Sequence, residues 1–231
     1  MPIDFEIHQN IMLQILKDIY SDTHISPFLG FKGGTCVHFL YGLDRFSVDL
    51  DFDLLNSDQE SVIFESLKGI LSQYGTLKDA RKKRYSLFFL LSYGASTNLK
   101  VEINLREFGS HYEIKNYLGI SFLAMERQDI FAHKMVAMEE RLGKTNRDIY
   151  DVWFFLKNQW PINKEIVEKR VNLPFKDYLE KCIQKLEKMS NRNILNGIGE
   201  LLNVKQKTWV KANLLKDTIF LLKVMLHHSN L

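Results

Sequence analysis

The sequence predicts an α+β (α/β) chain, a sheet domain over residues 1–120 followed by a helical bundle over 121–231. Three observations predict it. Residues 47–54, 76–82, 85–93 and 98–106 read as strands, several alternating apolar with polar side chains at the period of a half-buried strand. From about residue 126 apolar residues recur at helical spacing instead. The length of 231 residues and the 45% hydrophobic content suit one domain with a long appendage or two small domains sharing a core.

The elements follow in order. Ile7, Ile11, Leu13, Leu16 and Ile19 predict an amphipathic helix over 5–20. Residues 21–27 form a loop. Phe28, Leu29 and Phe31 make a short strand, Gly33-Gly34-Thr35 a turn, and 36–43 a helix. After the strand at 47–54, Asn56-Ser57-Asp58 caps a helix over 59–74, with Gly75 just past its end. Residues 112–125 take the chain out of the sheet. A helix over 126–142 and a second over 148–158 come next, and Pro161 breaks the chain. Helices over 163–171, 175–189, 193–202 and 209–228 complete the bundle.

The chemistry concentrates between residues 32 and 54. In a strand over 47–54, Val48, Leu50, Phe52 and Leu54 point one way, and Ser47, Asp49, Asp51 and Asp53 the other. Three carboxylates on one strand face repel one another, and Asp is a poor strand former. A bound cation relieves the repulsion. Hard oxygens two residues apart suit Mg2+, which completes its shell with water and substrate phosphate. The plain alternative is an acidic, solvated strand face. The glycines allow close backbone approach, and a helix start behind them offers N–H groups to a phosphate. Thr35 either caps that helix or touches the phosphate. Lys32 reaches a phosphate or marks the strand end, and Arg45 contacts phosphate or lies on the surface.

Gly33-Gly34-Thr35, then 13 residues, then Asp49-Leu50-Asp51-Phe52 resembles the signature of the DNA polymerase β-like nucleotidyltransferase superfamily, with Thr in place of the commoner Ser. Lys32, the Arg45-Phe46-Ser47 run and the later Arg147-Asp148-Ile149-Tyr150-Asp151 narrow the likeness to the AbiEii/AbiGii nucleotidyltransferase toxins of type IV toxin–antitoxin systems. The resembling blocks lie within about residues 29–156. The resemblance implies a polymerase β-like sheet domain completed by the helical domain. It implies Mg2+ on Asp49 and Asp51, with Glu102 as the third carboxylate on a neighbouring strand. Lys32, Gly33, Gly34, Thr35 and Ser47 become candidates for holding the nucleotide. It also implies a nucleotide-contacting Lys134. That lysine stands among Ile130, Ala137 and Met138, where a charge is costly unless a partner such as a triphosphate pairs it; a snorkelling stem is the alternative. Asp148 falls in the family's last motif, with Asp151 three residues on as second choice; both also suit a helix start. Asp53 is read as structural.

Composition bounds the partners. Residues 1–155 hold 17 Lys/Arg against 21 Asp/Glu, and residues 156–231 hold 14 against 7. An acidic metal-binding half joined to a basic half suits an enzyme that holds a polyanion. Lys-rich solvated helices are the alternative. Cys36 and Cys182 lack a partner motif, which argues against a disulfide framework or a zinc site. The N-terminus lacks a signal-peptide pattern, and no apolar run reaches the roughly 18 residues that span a membrane, so a cytoplasmic enzyme is expected. The expected reaction moves NMP from an NTP to an acceptor with loss of pyrophosphate. The resemblance implies an RNA acceptor, the tRNA 3′ end, and a cognate antitoxin. Protein nucleotidylation, a kinase attacking the γ-phosphate, or a non-catalytic nucleotide-binding protein are the competing readings.

Overall fold

Alternation of apolar and polar residues builds a seven-stranded mixed sheet in the computed structural model, which describes residues 4–94 and 97–228. Met1, Pro2 and Ile3, part of the N-terminal stretch read for a signal peptide, lie outside the described residues. The elements of the first part are α1 (Phe5–Ser21), β1 (Leu29–Lys32), α2 (Gly33–Tyr41), β2 (Asp49–Leu54), α3 (Glu60–Ser72), β3 (Thr76–Lys83), β4 (Ser86–Tyr93), β5 (Thr97–Asn104), β6 (Tyr112–Tyr117) and β7 (Ile120–Met125). The strand order is β3-β4-β5-β2-β1-β7-β6. β2 runs antiparallel to β1 and parallel to β5.

The chain divides into two compact units, one reaching Glu107 and including His111–Met125, the other made of Phe108–Ser110 with the chain from Glu126 on. In the first unit, Phe31, Phe52 and Phe122 are fully buried, with ring centroids 5.5 Å apart in two of the pairs. Leu50, Val101 and Ile103 are equally buried on β2 and β5. Asp4 caps α1 by accepting from the Glu6 and Ile7 amides. The buried stripe of α1 is His8, Met12, Ile15, Leu16 and Ile19; Ile7, expected on it, is exposed. His8 escapes a hydrophobicity pattern because it is polar, yet its Nε2 donates to the Val48 carbonyl at 3.0 Å and its Nδ1 accepts from the Tyr93 hydroxyl.

Residues 112–125 do not leave the sheet. They form the β6–β7 hairpin, closed by the two-residue turn Leu118-Gly119, both with positive φ, and β7 then pairs parallel with β1. The turn geometry is the kind that matches strand twist, and its cue was weak because Leu rather than Asn or Asp precedes the glycine.

The second unit holds α4 (Arg127–Arg141), α5 (Arg147–Lys157), α6 (Lys164–Val171), α7 (Phe175–Glu187), α8 (Val204–Trp209) and α9 (Leu215–His228). The helix expected over 193–202 is absent. Short 3-10 turns at Asn191–Asn193 and Gly199–Leu201 replace it, with Gly197 at positive φ between them. The final helix starts earlier than 209: Asn203 and Gln206 form a capping box, and a π-helical turn at Val210–Leu214 joins α8 to α9. Phe155 stacks on Trp160 and meets Phe131 edge-to-face within the unit. Among the described residues no helix is long and apolar enough to cross a membrane.

Burial lowers the His8 pKa, against the opposing pull of the Val48 carbonyl and the Asp49 charge. The unfolded chain therefore takes up this proton at a higher pH than the folded one. The His8 contribution is intact above the ordinary histidine value of about 6.5 and is lost as pH falls from there towards the lowered value. Thermal melts should show wild type losing more Tm than His8→Gln between about pH 7.5 and about pH 5.5. Equal losses in the two proteins would exclude His8 as the group responsible.

Candidate active site

The candidate residues fall in two groups, one in each unit. In the first, β1 ends at Lys32 and the chain turns straight into α2. Gly33 has φ +80°, and a Cβ there would lie 2.5 Å from Asp51 Oδ2. A Cβ on Gly34 would lie 2.8 Å from both Arg45 Nη2 and Ser47 Oγ. The two glycines thus bring the start of α2 against the carboxylate strand, where any side chain would force them apart. Helix α2 begins at Gly33, three residues before the expected start. Its N-cap is Lys32 and makes no side-chain cap bond, so Thr35 is not the cap.

Thr35 is instead buried. Its hydroxyl donates to the Asp49 carbonyl at 2.5 Å and hydrogen-bonds Ser47 Oγ at 2.9 Å, holding the approach to β2. Ser47 lies just ahead of the strand, which starts at Asp49. Arg45 is also buried, donating to the Phe46 carbonyl at 2.8 Å, so the surface alternative for it fails. Hydrophobicity offered no signal for a buried arginine; only its place between the glycines and the strand did.

Register aligns the site across the sheet. Lys32 pairs with Asp51, Asp51 with Glu102, Glu102 with Phe88, and Phe88 with Arg81. Asp49 and Asp51 on β2 therefore stand beside Lys100 and Glu102 on β5. Lys100 Nζ lies 3.6 Å from Asp49 Oδ2, 3.8 Å from Asp51 Oδ1 and 3.2 Å from Glu102 Oε2. Burial would lower the Lys100 pKa, but Asp51, Asp49 and Glu102 outweigh it and raise it. Burial likewise pushes Glu102 up, yet the Ser86 hydroxyl, donating at 2.8 Å, and Lys100 bring its carboxyl below the ordinary value. Glu102 is ionised at neutral pH. The reach of Lys100 to all three carboxylates comes from the parallel β2–β5 register.

Asp53, on the same face, takes donors from Lys32 at 2.5 Å, from Asn104 at 2.6 Å and from Tyr112 at 2.6 Å. Its negative charge is met from three sides, which suits the structural role read from its position. The same contact engages the Lys32 ammonium.

Beside Glu102, the β3–β4 hairpin carries four consecutive basic residues, Arg81-Lys82-Lys83-Arg84. Lys83 Nζ is 4.0 Å from Glu102 Oε1 and stands 3.8 Å over the Phe88 ring, with Arg81 5.4 Å from the same ring. Arg84 and Arg106 flank the exposed Tyr85 ring at 5.0 and 5.6 Å.

In the second unit, Lys134 on α4 pairs with both expected aspartates of α5, at 2.9 Å from Asp148 Oδ1 and 2.7 Å from Asp151 Oδ2. Arg141 Nη1 adds a contact at 3.2 Å to Asp148 Oδ2. The Asp148 and Asp151 side chains are 1% and 0% exposed, so these are buried charges with partners. The partner that half-buried Lys134 needs is supplied by the protein itself. Burial would raise the Asp148 pKa, but Lys134 and Arg141 hold it below the ordinary value against the push of Asp151.

Solved structures of low sequence identity share this fold. JHP933 from Helicobacter pylori matches with a TM-score of 0.58 and 19% identity, over 100% of this chain and 98% of its own. A proposed nucleotidyltransferase from H. pylori matches at 0.60 and 19%, over 99% of each chain. An antigenic nucleotidyltransferase-like protein from Paracoccidioides brasiliensis matches at 0.51 and 13%, over 87% of this chain and 95% of its own. No curated protein matches the chain. The fold class is therefore that of the nucleotidyltransferases. Residues 14–207 match the family model of the nucleotidyl transferase AbiEii toxin, type IV toxin–antitoxin system, and the chain belongs to that family.

Two outcomes test the site's construction. Gly33→Ala should cost about 1–2 kcal/mol, the strain of a left-handed non-glycine residue, and lose nucleotidyl transfer as Asp51 is pushed aside; denaturant melts and transfer assays read the two effects. Asp148→Asn should cost on the order of 3 kcal/mol at neutral pH, because it breaks an ion pair of a buried carboxylate and leaves half-buried Lys134 one partner short. The Asp148 contribution is present above the ordinary carboxylate pKa and is lost as pH falls through the lowered folded value. The gap between wild type and mutant in urea melts should therefore narrow under acid.

Proposed function

We propose that the chain is a Mg2+-dependent nucleotidyltransferase that moves NMP from an NTP to the 3′ end of an RNA, tRNA in particular, as the toxin of a type IV toxin–antitoxin pair held in check by a cognate antitoxin. The observation that carries the reading is the alignment of Asp49, Asp51 and Glu102 beside the Gly33-Gly34 turn. The three carboxylates already surround one positive charge, the Lys100 ammonium, so their donor chemistry fits a hard cation. A bound Mg2+ would supply charge neutralisation at the phosphates and activation of the attacking hydroxyl.

The chain's own residues do the rest. The start of α2 at Gly33, with no side-chain cap, leaves N–H groups for a phosphate. Ionised Glu102 takes the proton of the acceptor hydroxyl at its carboxylate. The hydroxyl oxygen then bonds to the α-phosphorus, the bond from that phosphorus to the bridging oxygen breaks, and pyrophosphate leaves with the bond's electron pair. Lys134, fixed by Asp148 and Asp151, is the family-motif lysine to which we assign a nucleotide contact.

RNA as acceptor is supported by the hairpin beside Glu102. Arg81, Lys83, Arg84 and Arg106 offer phosphate contacts, and Phe88 and exposed Tyr85 offer faces for bases. Such a strip suits a flexible single-stranded end, which can lay its backbone along the basic side chains.

The test is label transfer. Total RNA and Mg2+ are incubated with each NTP labelled at the α-phosphate, beside γ-labelled controls. Label should enter RNA from the α position only, and Asp49→Asn/Asp51→Asn should abolish it by several orders of magnitude. Arg81→Ala/Arg84→Ala should weaken RNA binding and flatten its salt dependence, since fewer counterions are released. Label in protein from the α position would replace RNA by a protein acceptor; label from the γ position would make the protein a kinase.

A further inference from the structure

We propose that Lys100 is an internal counter-ion of the carboxylate site, and that it yields its place when a divalent metal binds. The inference rests on the metal reading of Asp49, Asp51 and Glu102. The Lys100 ammonium stands within 4 Å of all three. Among the described residues no three His, Cys, Asp or Glu side chains are grouped closely enough to hold a metal ion. The carboxylates are spread around an ammonium, at distances of 3.2–3.8 Å. Mg2+ takes its oxygens at about 2.1 Å. Loading the site therefore requires the carboxylates to close in where the ammonium now stands. A dication and an ammonium at that spacing repel strongly.

The exchange is physically open. The Lys100 side chain is 27% exposed, and Asp49, Asp51 and Glu102 are 21%, 31% and 30% exposed. Lysine carries a compact charge on a flexible four-carbon stem, so the head can swing to water without stranding a charge in apolar surroundings. The register makes the placement unavoidable. Asp49 faces Lys100 and Asp51 faces Glu102, so the lysine starts level with the first aspartate and reaches along the row.

Two consequences follow. In the absence of metal, Lys100 neutralises part of a row of like charges that strand pairing forces together. In its presence, Lys100 competes: the site is open only while the ammonium is away, and apparent affinity falls by that fraction. A monovalent ion brings no more charge than the ammonium it would replace, whereas a dication does. Lys100 thus acts as a filter for divalent ions.

The test uses the full chain and Mn2+ as the probe, without nucleotide, following free Mn2+ by electron paramagnetic resonance and Tm by calorimetry. Lys100→Met keeps the apolar stem and removes the charge. It should bind Mn2+ about tenfold tighter than wild type, as expected if the ammonium holds the site about nine-tenths of the time. Its metal-induced rise in Tm should also be larger. Lys100→Arg, which keeps a charge there, should bind no tighter than wild type. A Lys100→Met protein that folds only with Mn2+ also supports the exchange; one that stays unfolded in saturating Mn2+ overturns it. Equal or weaker Mn2+ binding by folded Lys100→Met overturns the exchange while leaving the metal site standing. Failure of both folded proteins to bind Mn2+ overturns the metal reading and the exchange together.

Discussion

Three carboxylates placed side by side on β2 and β5 are the constraint on which the first unit's site depends. Their crowding is enforced from the opposite face of the sheet. Leu50, Phe52, Val101 and Ile103 are fully buried there, each contributing about 1.5–3 kcal/mol by leaving water. Two carboxylates at about 5.5 Å repel by about 3 kcal/mol at the effective dielectric of a protein surface. The four apolar side chains together outweigh that repulsion. A one-residue slip of β2 would relieve the charges only by turning Asp49, Asp51 and Asp53 into the core. The strand is thus held in register by hydrophobicity, and the acidic face must be neutralised in place: Asp53 by Lys32, Asn104 and Tyr112, and Asp49, Asp51 and Glu102 by Lys100.

The glycine turn answers a second demand of the same strand. Under the proposed reading, a phosphate at the backbone N–H groups must come close to the β2 carboxylates, which requires the helix start to approach β2 without side chains between. Gly33 and Gly34 give that approach, and Thr35, Ser47 and Arg45 fix it from behind. Much of what looks in the sequence like a set of nucleotide ligands is thereby committed to holding the turn against the strand. Thr35 spends its proton on the Asp49 carbonyl, and Lys32 spends its charge on Asp53.

These features were legible to different degrees, for physical reasons. Asp49 and Asp51 could be placed on one face because strand periodicity is strict and Leu50 and Phe52 mark the other face. The strands at 76–83, 86–93 and 97–104 carried the same signal. The β6–β7 hairpin was missed because its edge strand β6 exposes Ile114, which blurs the inside–outside alternation, and because Leu118 replaces the usual turn residue. His8 and Arg45 were missed as buried groups because their burial depends on acceptors far away in sequence or on carbonyls, neither of which a hydrophobicity pattern records. The helix over 193–202 was over-read from its Ile and Leu positions, where Asn and Gly favoured short turns instead.

Lys134 and Lys100 show why a lysine facing carboxylates has no single meaning. Only Lys134 stood out in the sequence as a charge needing a partner, yet both have aspartates within 4 Å. The difference lies in the surroundings. Asp148 and Asp151 are sealed from water, so removing the Lys134 ammonium would strip both buried carboxylates of a shared counter-charge, with Arg141 still on Asp148, at a cost no passing ion readily offsets. That ammonium is a fixed part of the second unit, and any anion it meets must be met with the aspartates still in place. Around Lys100 the carboxylates remain open to solvent, and hydrated cations can reach them before the ammonium has fully gone. Exposure of the partners, rather than the number of contacts, separates a permanent ion pair from an exchangeable one. By that criterion the sheet site can be charged and recharged, while the helical cluster is built once, during folding.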